Sequence, residues 1–422
     1  MSEILDGRTP LILVAGWNGA TDATAQALLG PGTVVVHHDL DLVHEGVVRR
    51  TVTTIEDGRP MDRLSVLELA HGCISCTLRQ DLLPLLRALH TRSSVQRIVL
   101  HLDRRLEPEA LCWAIDHVIV AGVVGQIDGP ASRDVRVESV VTCVDAGTWF
   151  GDATGDDELD DGRTVAQIAV GQVDYADALV VTGAADDGWE QAKLHAVLVR
   201  LAPGAPIAWE PSTDSPAIDV EKLLSQVPAD ARRGAVSDAH SPLLRGQPPL
   251  TDDCGVMIVE FEAQRPFHPE RLHEAIDVLL EGVVSARGRV WVATQPDEAL
   301  WLESAGGGLR VASANRWLAA MAPEEQEQVP TDRRAMAALR WDERFGDRHS
   351  SIVVLVYAAD PTEIDRTLQW ALVSDDELVD ETRWHTWNDP FGQFHEDPCE
   401  TTESSFAEQN KYAEQDKREG QQ

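Results

Sequence analysis

Basic residues are scarce in this sequence. Against 71 Asp and Glu there are 36 Lys and Arg, a formal net charge of −35 over 422 residues. So acidic a surface repels phosphate over most of its area. That excludes broad nucleic-acid contact and makes a basic protein the easier partner. Long apolar runs are also missing. Stretches such as Leu11–Gly16 fall far short of the ~20 residues that cross a bilayer, so no membrane role is expected. Met1–Pro10 carries Glu3 and Asp6 and no basic stretch, unlike a secretory signal. Six cysteines, only two of them closely spaced, do not make a disulfide framework, and the reducing cytoplasm is the expected compartment.

An apolar fraction of 43% is enough to bury ordinary cores, and the length suggests two of them. In the first half, short apolar runs alternate with helical patterns. Strands are expected at Leu11–Ala15, Thr33–His37, Arg97–His101, Val135–Val144 and Ala178–Thr182. Helices are expected at Asp22–Leu29, Leu78–His90, Glu109–Val120 and Trp189–Leu201. Pro84 falls inside the second helix and should bend it or shift its start. Asp152–Asp161 reads as an acidic solvated loop. This alternation predicts an α/β domain over residues 1–240 with a mostly parallel sheet. Ser241–Asp253, with Pro242, Gly246, Pro248 and Pro249, reads as a linker. Residues 254–398 predict an α+β domain with strands in meander order and helices on one side. Residues 399–422 are polar and read as a disordered tail.

The first strand runs into Gly16-Trp17-Asn18-Gly19-Ala20-Thr21-Asp22-Ala23-Thr24. Strand, glycine turn and helix are the layout of a phosphate-binding P-loop. That chemistry needs a Lys on the β and γ oxygens and a Ser or Thr on Mg²⁺. Asp22 and Ala23 stand in those two places, and an Asp repels a triphosphate. Gly16, Gly19, Asp22 and Ala23 therefore read as the remnant of a nucleotide site. A second marker is His71-Gly72-Cys73-Ile74-Ser75-Cys76-Thr77-Leu78-Arg79-Gln80-Asp81-Leu82. Cys73 and Cys76, with His71 beside them, are a candidate metal set. Two thiolates at this spacing can hold one side of a tetrahedral Zn²⁺.

With that segment the chain comes to resemble the CobW-type family of GTPases and metallochaperones. Val141-Thr142-Cys143-Val144-Asp145-Ala146, Gln172 and Tyr175-Ala176-Asp177-Ala178 extend the likeness. So do Arg265-Pro266-Phe267-His268-Pro269-Glu270-Arg271-Leu272, Ala286-Arg287-Gly288 with Trp291-Val292-Ala293, and Gly346-Asp347-Arg348-His349. The resemblance implies a degenerate P-loop domain followed by a CobW C-terminal domain. The departures are as informative. The family's Cys-x-Cys-Cys has become Cys73-Ile74-Ser75-Cys76, without the middle thiolate. Its Glu-x-x-Gly element is replaced by His101-Leu102-Asp103-Arg104-Arg105. Its guanine-reading Asn-Lys-x-Asp falls on Thr182-Gly183-Ala184-Ala185. Phosphate binding, γ-phosphate sensing and base recognition are lost together, so GTP is not an expected cofactor and no enzyme activity is expected. Zinc is the candidate metal, with no cofactor assigned outright.

Within the family, Gly-Cys-Ile-Ser-Cys-Thr resembles the actinobacterial branch that recruits a ribosome hibernation factor. That likeness implies a non-enzymatic protein made under zinc limitation. Its implied partners are the ribosome, through ribosomal proteins, and the hibernation-promoting factor Mpy, a protein Y homologue. The alternative is a zinc metallochaperone or zinc-responsive protein that keeps Cys73 and Cys76 as transfer ligands.

Other clusters carry less. His37 and His38 point to opposite faces of a strand and cannot share an ion. His385, His395, Asp397 and Cys399 would need a loop site, since Pro398 opposes a helix. Cys112 and Cys143 read as core, and the Trp residues near 384–387 as packing.

Overall fold

Alternation decides the first strand. Leu11, Leu13 and Ala15 enter one apolar core, and Ile12 and Val14 enter another on the opposite side. In the strand beside it Ile98 and Leu100 follow the first and Val99 the second. A sheet buried on both faces results, as the unbroken apolar runs require. The computed structural model describes residues 7–69, 74–183, 187–210 and 217–392.

The first sheet contains β1 (Thr9–Ala15), β2 (Thr33–Asp39), β3 (Val47–Glu56), β4 (Arg59–Glu68), β5 (Arg97–His101), β6 (Val135–Asp145), β7 (Ala178–Thr182) and β8 (Ile207–Glu210), in the order β4-β3-β2-β5-β1-β6-β7-β8. Strands β2, β5, β1, β6, β7 and β8 run parallel, and β3 and β4 are antiparallel additions at one edge. The helices are α1 (Thr21–Ala27), α2 (Ile74–Thr77), α3 (Leu83–His90), α4 (Pro108–His117), α5 (Trp149–Thr154), α6 (Val165–Asp174), α7 (Gly188–Leu201) and α8 (Val220–Leu224). Leu83, Leu86 and Leu89 of α3 and Leu111 and Ile115 of α4 cover one face. Ala25 of α1 and Val220 and Leu223 of α8 cover the other. This is an α/β, P-loop-like domain. Residues 241–253 contain no helix or strand.

The second sheet, β12-β11-β10-β13-β9, is antiparallel throughout. Its strands are β9 (Met257–Ala263), β10 (Val283–Val290), β11 (Glu298–Ala305), β12 (Gly308–Arg316) and β13 (Ser350–Val356). Around it lie α9 (Pro269–Ala275), α10 (Pro323–Gln328), α11 (Thr331–Leu339), α12 (Pro361–Ala371) and α13 (Asp375–Val379). Helices α9 and α12 share one core with the sheet through Leu272, Ala275, Ile364 and Leu368. Val284, Ala305 and Leu355 of the sheet instead join a core with Val173, Leu194 and Leu198 of the first half. The two sheets are therefore welded through apolar contact.

Several expectations are corrected. The β3–β4 hairpin was not anticipated. Its signal is Asp57-Gly58, whose φ values of 50° and 73° make the turn. The meander is interrupted, because β13 pairs between β10 and β9. The acidic loop at 152–161 begins inside α5, and α6 follows it, started by a reciprocal Thr164–Gln167 capping box. The helix expected over Leu78–His90 begins with a π turn at Leu78–Leu82, and α3 proper starts at Leu83, just before Pro84, which lacks an N–H. The expected tail, residues 399–422, lies outside the described residues. None of the described helices is long and apolar enough to cross a membrane.

One ionic cluster ties the two halves. Asp174, the last residue of α6, lies 2.8 Å from Arg245 and 2.6 Å from Arg287 of β10, with Arg232 at 3.9 Å. Burial alone would raise Asp174, but Arg287 and Arg245 outweigh it and hold the carboxyl below its ordinary range. Removing the carboxylate would leave three half-buried guanidinium groups with only Glu109, 4.0 Å from Arg245, and Glu303 as remaining acids. Asp174→Ala should therefore cost about 3 kcal/mol, the low end for a buried pair. Arg366→Ala, which breaks an exposed pair with Glu363, should change stability by less than ~0.5 kcal/mol. Urea midpoints of the two variants should differ accordingly. Equal midpoints would remove Asp174 from its role as the latch.

Candidate functional site

The turn after β1 lies against the end of β6. A Cβ on Gly16 would come within 2.5 Å of the Cys143 carbonyl oxygen, and one on Gly19 within 2.4 Å of the Cys143 carbonyl carbon and oxygen. Both glycines are thus required by close backbone approach, whatever the loop binds. Trp17 packs half-buried on the core shared by the two sheets, with the Arg104 guanidinium 5.0 Å above its ring. Asn18 donates to Asp152 at 2.9 Å, which fastens the loop to α5. Residues 16–23 contain neither Lys nor Arg. Asp22 and Ala23 lie exposed in the first turn of α1.

Facing Asp22 is a pair of imidazoles rather than a cation anchored for phosphate. His101 Nδ1 at the end of β5 lies 3.6 Å from the Asp22 carboxylate, and the His101 ring stacks on His37 at 4.3 Å. Burial, then the neighbouring His37, lowers His101 to about 4, so the ring is neutral at pH 7. His38, on the opposite face of β2, bonds Asp81 at 2.7 Å, as strand alternation requires. Asp103, where the resemblance expects a γ-phosphate element, accepts the Leu40 and Arg105 amides at 3.0 Å each. Asp145 caps its own turn through Gly147 and Thr148. Gln172 bonds the Arg104 and Leu106 carbonyls. Each of these motif residues has become a structural tie.

Of the candidate metal set, His71 and Cys73 lie outside the described residues. Cys76 falls within α2, which leads into the π turn. Cys112 and Cys143 are buried, and desolvation pushes both thiols up to about 12, so neither is a nucleophile or ready metal ligand. Trp384 is buried beside Trp291, and Trp387 stacks on His268 at 4.3 Å, as expected for packing. His385 lies in a 3₁₀ turn (Glu381–Thr386), while His395, Asp397 and Cys399 lie outside the described residues.

Two features escaped the sequence. Oxygens of Asp39, Asp41 and Asp103 lie within 4.8 Å of one another. Arg49 meets Asp39 at 2.9 Å, and Arg105 meets Asp41 at 2.5 Å and Asp103 at 3.7 Å, so the group is an ion-pair network with its own cations. A cavity of about 730 Å³ opens where the two sheets meet, away from the loop, lined in part by Glu109, Trp113, Arg163, Glu303 and Arg310. Burial and the carboxylates of Asp174 and Glu109 push Glu303 up. No local motif announces either feature, because each draws on several distant segments.

Comparison with known proteins fixes the family. Residues 47–208 match the CobW/HypB/UreG nucleotide-binding domain, and residues 256–372 match the cobalamin synthesis protein CobW C-terminal domain. A mycobacterial relative, the zinc chaperone Rv0106 of Mycobacterium tuberculosis, is 52% identical over 393 residues, covering 93% of this chain and 95% of its own. The chain belongs to the CobW family. A more distant CobW relative, the zinc-regulated GTPase metalloprotein activator 1 of Dictyostelium discoideum, is 25% identical over 346 residues, covering 77% of this chain and 70% of its own. The Zn(II)-bound YjiA GTPase from E. coli aligns at 16% identity with a TM-score of 0.35, covering 87% of this chain and 99% of its own.

Two outcomes follow for this CobW-type loop. Gly19→Ala should lower stability by about 2–4 kcal/mol, through the clash with Cys143 and with no nucleotide present. Unchanged thermal unfolding in the apo protein would show that the loop yields freely. The second concerns pH. His101 is lowered in the folded chain from the ordinary 6.5 to about 4. Between those values the unfolded chain binds a proton that the folded chain refuses, so stability is full above about pH 6.5 and lost as pH falls toward 4. His101→Asn should reduce the slope of Tm against pH across that window, and an unaltered slope would contradict neutral burial of His101.

Proposed function

We propose that this CobW-family protein is a zinc chaperone that works without hydrolysing GTP. The observation that carries the zinc half of the reading is the 52% identity with the zinc chaperone Rv0106 over 95% of that protein. The second half rests on the donor set at the loop. A triphosphate needs fixed positive charge, whereas Asp22 offers a carboxylate and His101 a neutral ring. The residues present do not fit a nucleotide–Mg²⁺ complex.

Zinc is the cargo. By sequence, Cys73 and Cys76 supply two thiolates and His71 an imidazole, in the segment that enters α2. Ser75 removes the central thiolate of the family pattern. Three protein ligands leave one position of a tetrahedral ion open. An open position admits a ligand from a receiving protein, which suits transfer better than storage. Zinc binding requires the thiolates and so weakens as pH falls.

The test uses the full chain. Competition against a chromophoric chelator should find about one tightly held Zn²⁺ in the wild type and none in Cys73→Ser with Cys76→Ser. Equilibrium dialysis with labelled GTP should find no retention. Zinc held equally by the double variant would sink the ligand assignment, and saturable GTP retention would sink the nucleotide-free reading.

A second reading rests on Gly72-Cys73-Ile74-Ser75-Cys76-Thr77 and the charge of −35. On it, the protein sits in the cytoplasm and acts in ribosome hibernation under zinc limitation. It would dock on basic ribosomal proteins and help Mpy to bind. Sucrose gradients of zinc-replete and zinc-starved cells discriminate. Co-sedimentation with ribosomal particles under starvation supports this role, and a protein that stays at the top in both conditions excludes it.

A further inference from the structure

The chain carries a small cationic pocket lined by none of the loop residues. It lies among residues 238–240, β10, Trp317 after β12, α11 and the turn before β13. Its volume is about 20 Å³, and His240, Arg289, Trp317, Arg333, Arg340 and His349 line it. On the same scale one water needs about 10–15 Å³. Asp347 is the one acid in the lining, and its oxygens already accept the Leu318 and Ala319 amides at 3.0 and 2.9 Å. Three guanidinium groups against one engaged carboxylate invert the sign of a protein with charge −35.

Polar atoms in this lining lack partners. Arg289 Nε, Arg333 Nε, Trp317 Nε1 and His349 Nε2 are all buried and make no hydrogen bond within the protein. Trp317 is 0% and Arg289 2% exposed. Orphaned buried polar atoms cost about 1–3 kcal/mol each, so three N–H donors around one pocket call for a common acceptor. One further nitrogen of each arginine is committed. Arg289 Nη1 donates to the Ala239 and Ser241 carbonyls at 2.8 Å, and Arg333 Nη2 donates to Arg316 O at 2.6 Å. His349 Nδ1 lies 2.8 Å from Asp347 O and so donates its proton there, which assigns Nε2 as the bare nitrogen.

We propose that this pocket binds one small inorganic anion of chloride size, and that His349 takes up a proton from solvent as the anion enters. The anion accepts from Trp317 Nε1–H and from the Nε–H groups of Arg289 and Arg333. Protonated His349 adds a fourth donor at Nε2. One anion and one proton enter together, so the charge of the buried region is unchanged. A tetrahedral oxyanion exceeds the space. Without an anion His349 is neutral, because burial pushes it down to about 4. Beside burial, Arg289 and Arg340 oppose its protonation and Asp347 favours it, while Asp238 and Glu262 act on Arg289, Asp238 also on Arg333, and Glu262 pairs Arg340 at 2.8 Å. His240 stays committed through Nε2 to Ala314 O at 2.8 Å. Arg289 and His240 hold residues 239–241 against the second sheet. A bound anion therefore strengthens the junction where the chain passes between its halves.

The test is thermal unfolding of the full chain with sodium chloride replaced by sodium gluconate at constant ionic strength. Chloride should raise Tm with the logarithm of its concentration above Kd, by about 2 °C at tenfold excess over Kd. Its Kd should tighten several-fold between about pH 8 and pH 6, where His349 protonates more readily. Trp317→Phe should abolish the chloride effect. Arg333→Gln, on half-exposed α11, should weaken it and serves if the core variant fails to fold. Bromide in a crystal of the wild type should give an anomalous peak between Trp317 and His349. Equal melting in the two salts, a chloride effect preserved in Arg333→Gln, or ordered water without a bromide peak would each overturn the proposal.

Discussion

Asp174 is the constraint on which the two-sheet arrangement depends. It ends α6, so its position is set by the crossover between β6 and β7. Its partners come from elsewhere: Arg232 and Arg245 from the stretch that leaves the first half, and Arg287 from β10. One carboxylate thus fixes the register of the first sheet, the connecting chain and the second sheet at once. The apolar core through Val173, Leu198, Val284 and Leu355 then has only one way to close. The tip of the β11–β12 hairpin finishes the joint. A Cβ on Gly306, at φ 50°, would lie 2.3 Å from the Gly155 carbonyl oxygen, and the Gly307 amide donates to that same oxygen at 2.9 Å. The ionic cluster supplies direction and the apolar core supplies most of the energy, since buried ion pairs roughly balance their desolvation.

The same logic explains why a nucleotide-binding turn keeps its shape when its charge has been replaced. Gly16 and Gly19 are held by Cys143, not by a ligand. Trp17 is held by the shared core and Arg104, and Asn18 by Asp152. Selection for folding alone is enough to preserve glycines at these places. Nothing in folding preserves a Lys at position 22, because that side chain is exposed and its only physical purpose is an anion beside it. Backbone packing therefore accounts for both glycines, whatever the chemistry at position 22. Asp103 and Asp145 each spend a carboxylate on backbone amides.

Period and punctuation made the central sheet legible. Arg97–His101 and Ala178–Thr182 coincide with β5 and β7 because buried parallel strands are continuous apolar runs with sharp ends. The β3–β4 hairpin escaped because Val47–Glu68 mixes exposed Leu64 and Val66 with charges and sends only Val48, with Val52 and Leu67 partly, to the core, too few to set a period. Helix α6 escaped because Val165–Asp174 is buried nearly all round, which hides the 3.6-residue stripe. In the site, the glycines and Asp22 were legible from order along the chain. The His37–His101 stack and the Asp174 cluster were not, since each depends on strand order, and strand order is a property of the whole sheet.

Charge closes the argument about partners. Lys193, Lys222, Lys411 and Lys417 are the only lysines, so almost all of the 36 basic residues are arginine. Arginine is the cation that tolerates burial, through its planar fork of donors. Arg87, for example, is 2% exposed, and it meets Asp134 at 2.6 Å and the Val120, Gly129 and Ile127 carbonyls. Arg200, Arg287 and Arg289 are likewise turned inward onto backbone oxygens or buried acids. Among the described residues the buried arginines Arg87, Arg200 and Arg289 are matched by the buried Asp103, Asp177 and Asp347, so the net acidity is carried by the solvent-facing surface. Long-range attraction then favours a basic protein surface, and it weakens with salt over a Debye length of about 8 Å. An acidic surface of this kind steers a basic partner toward it from any approach.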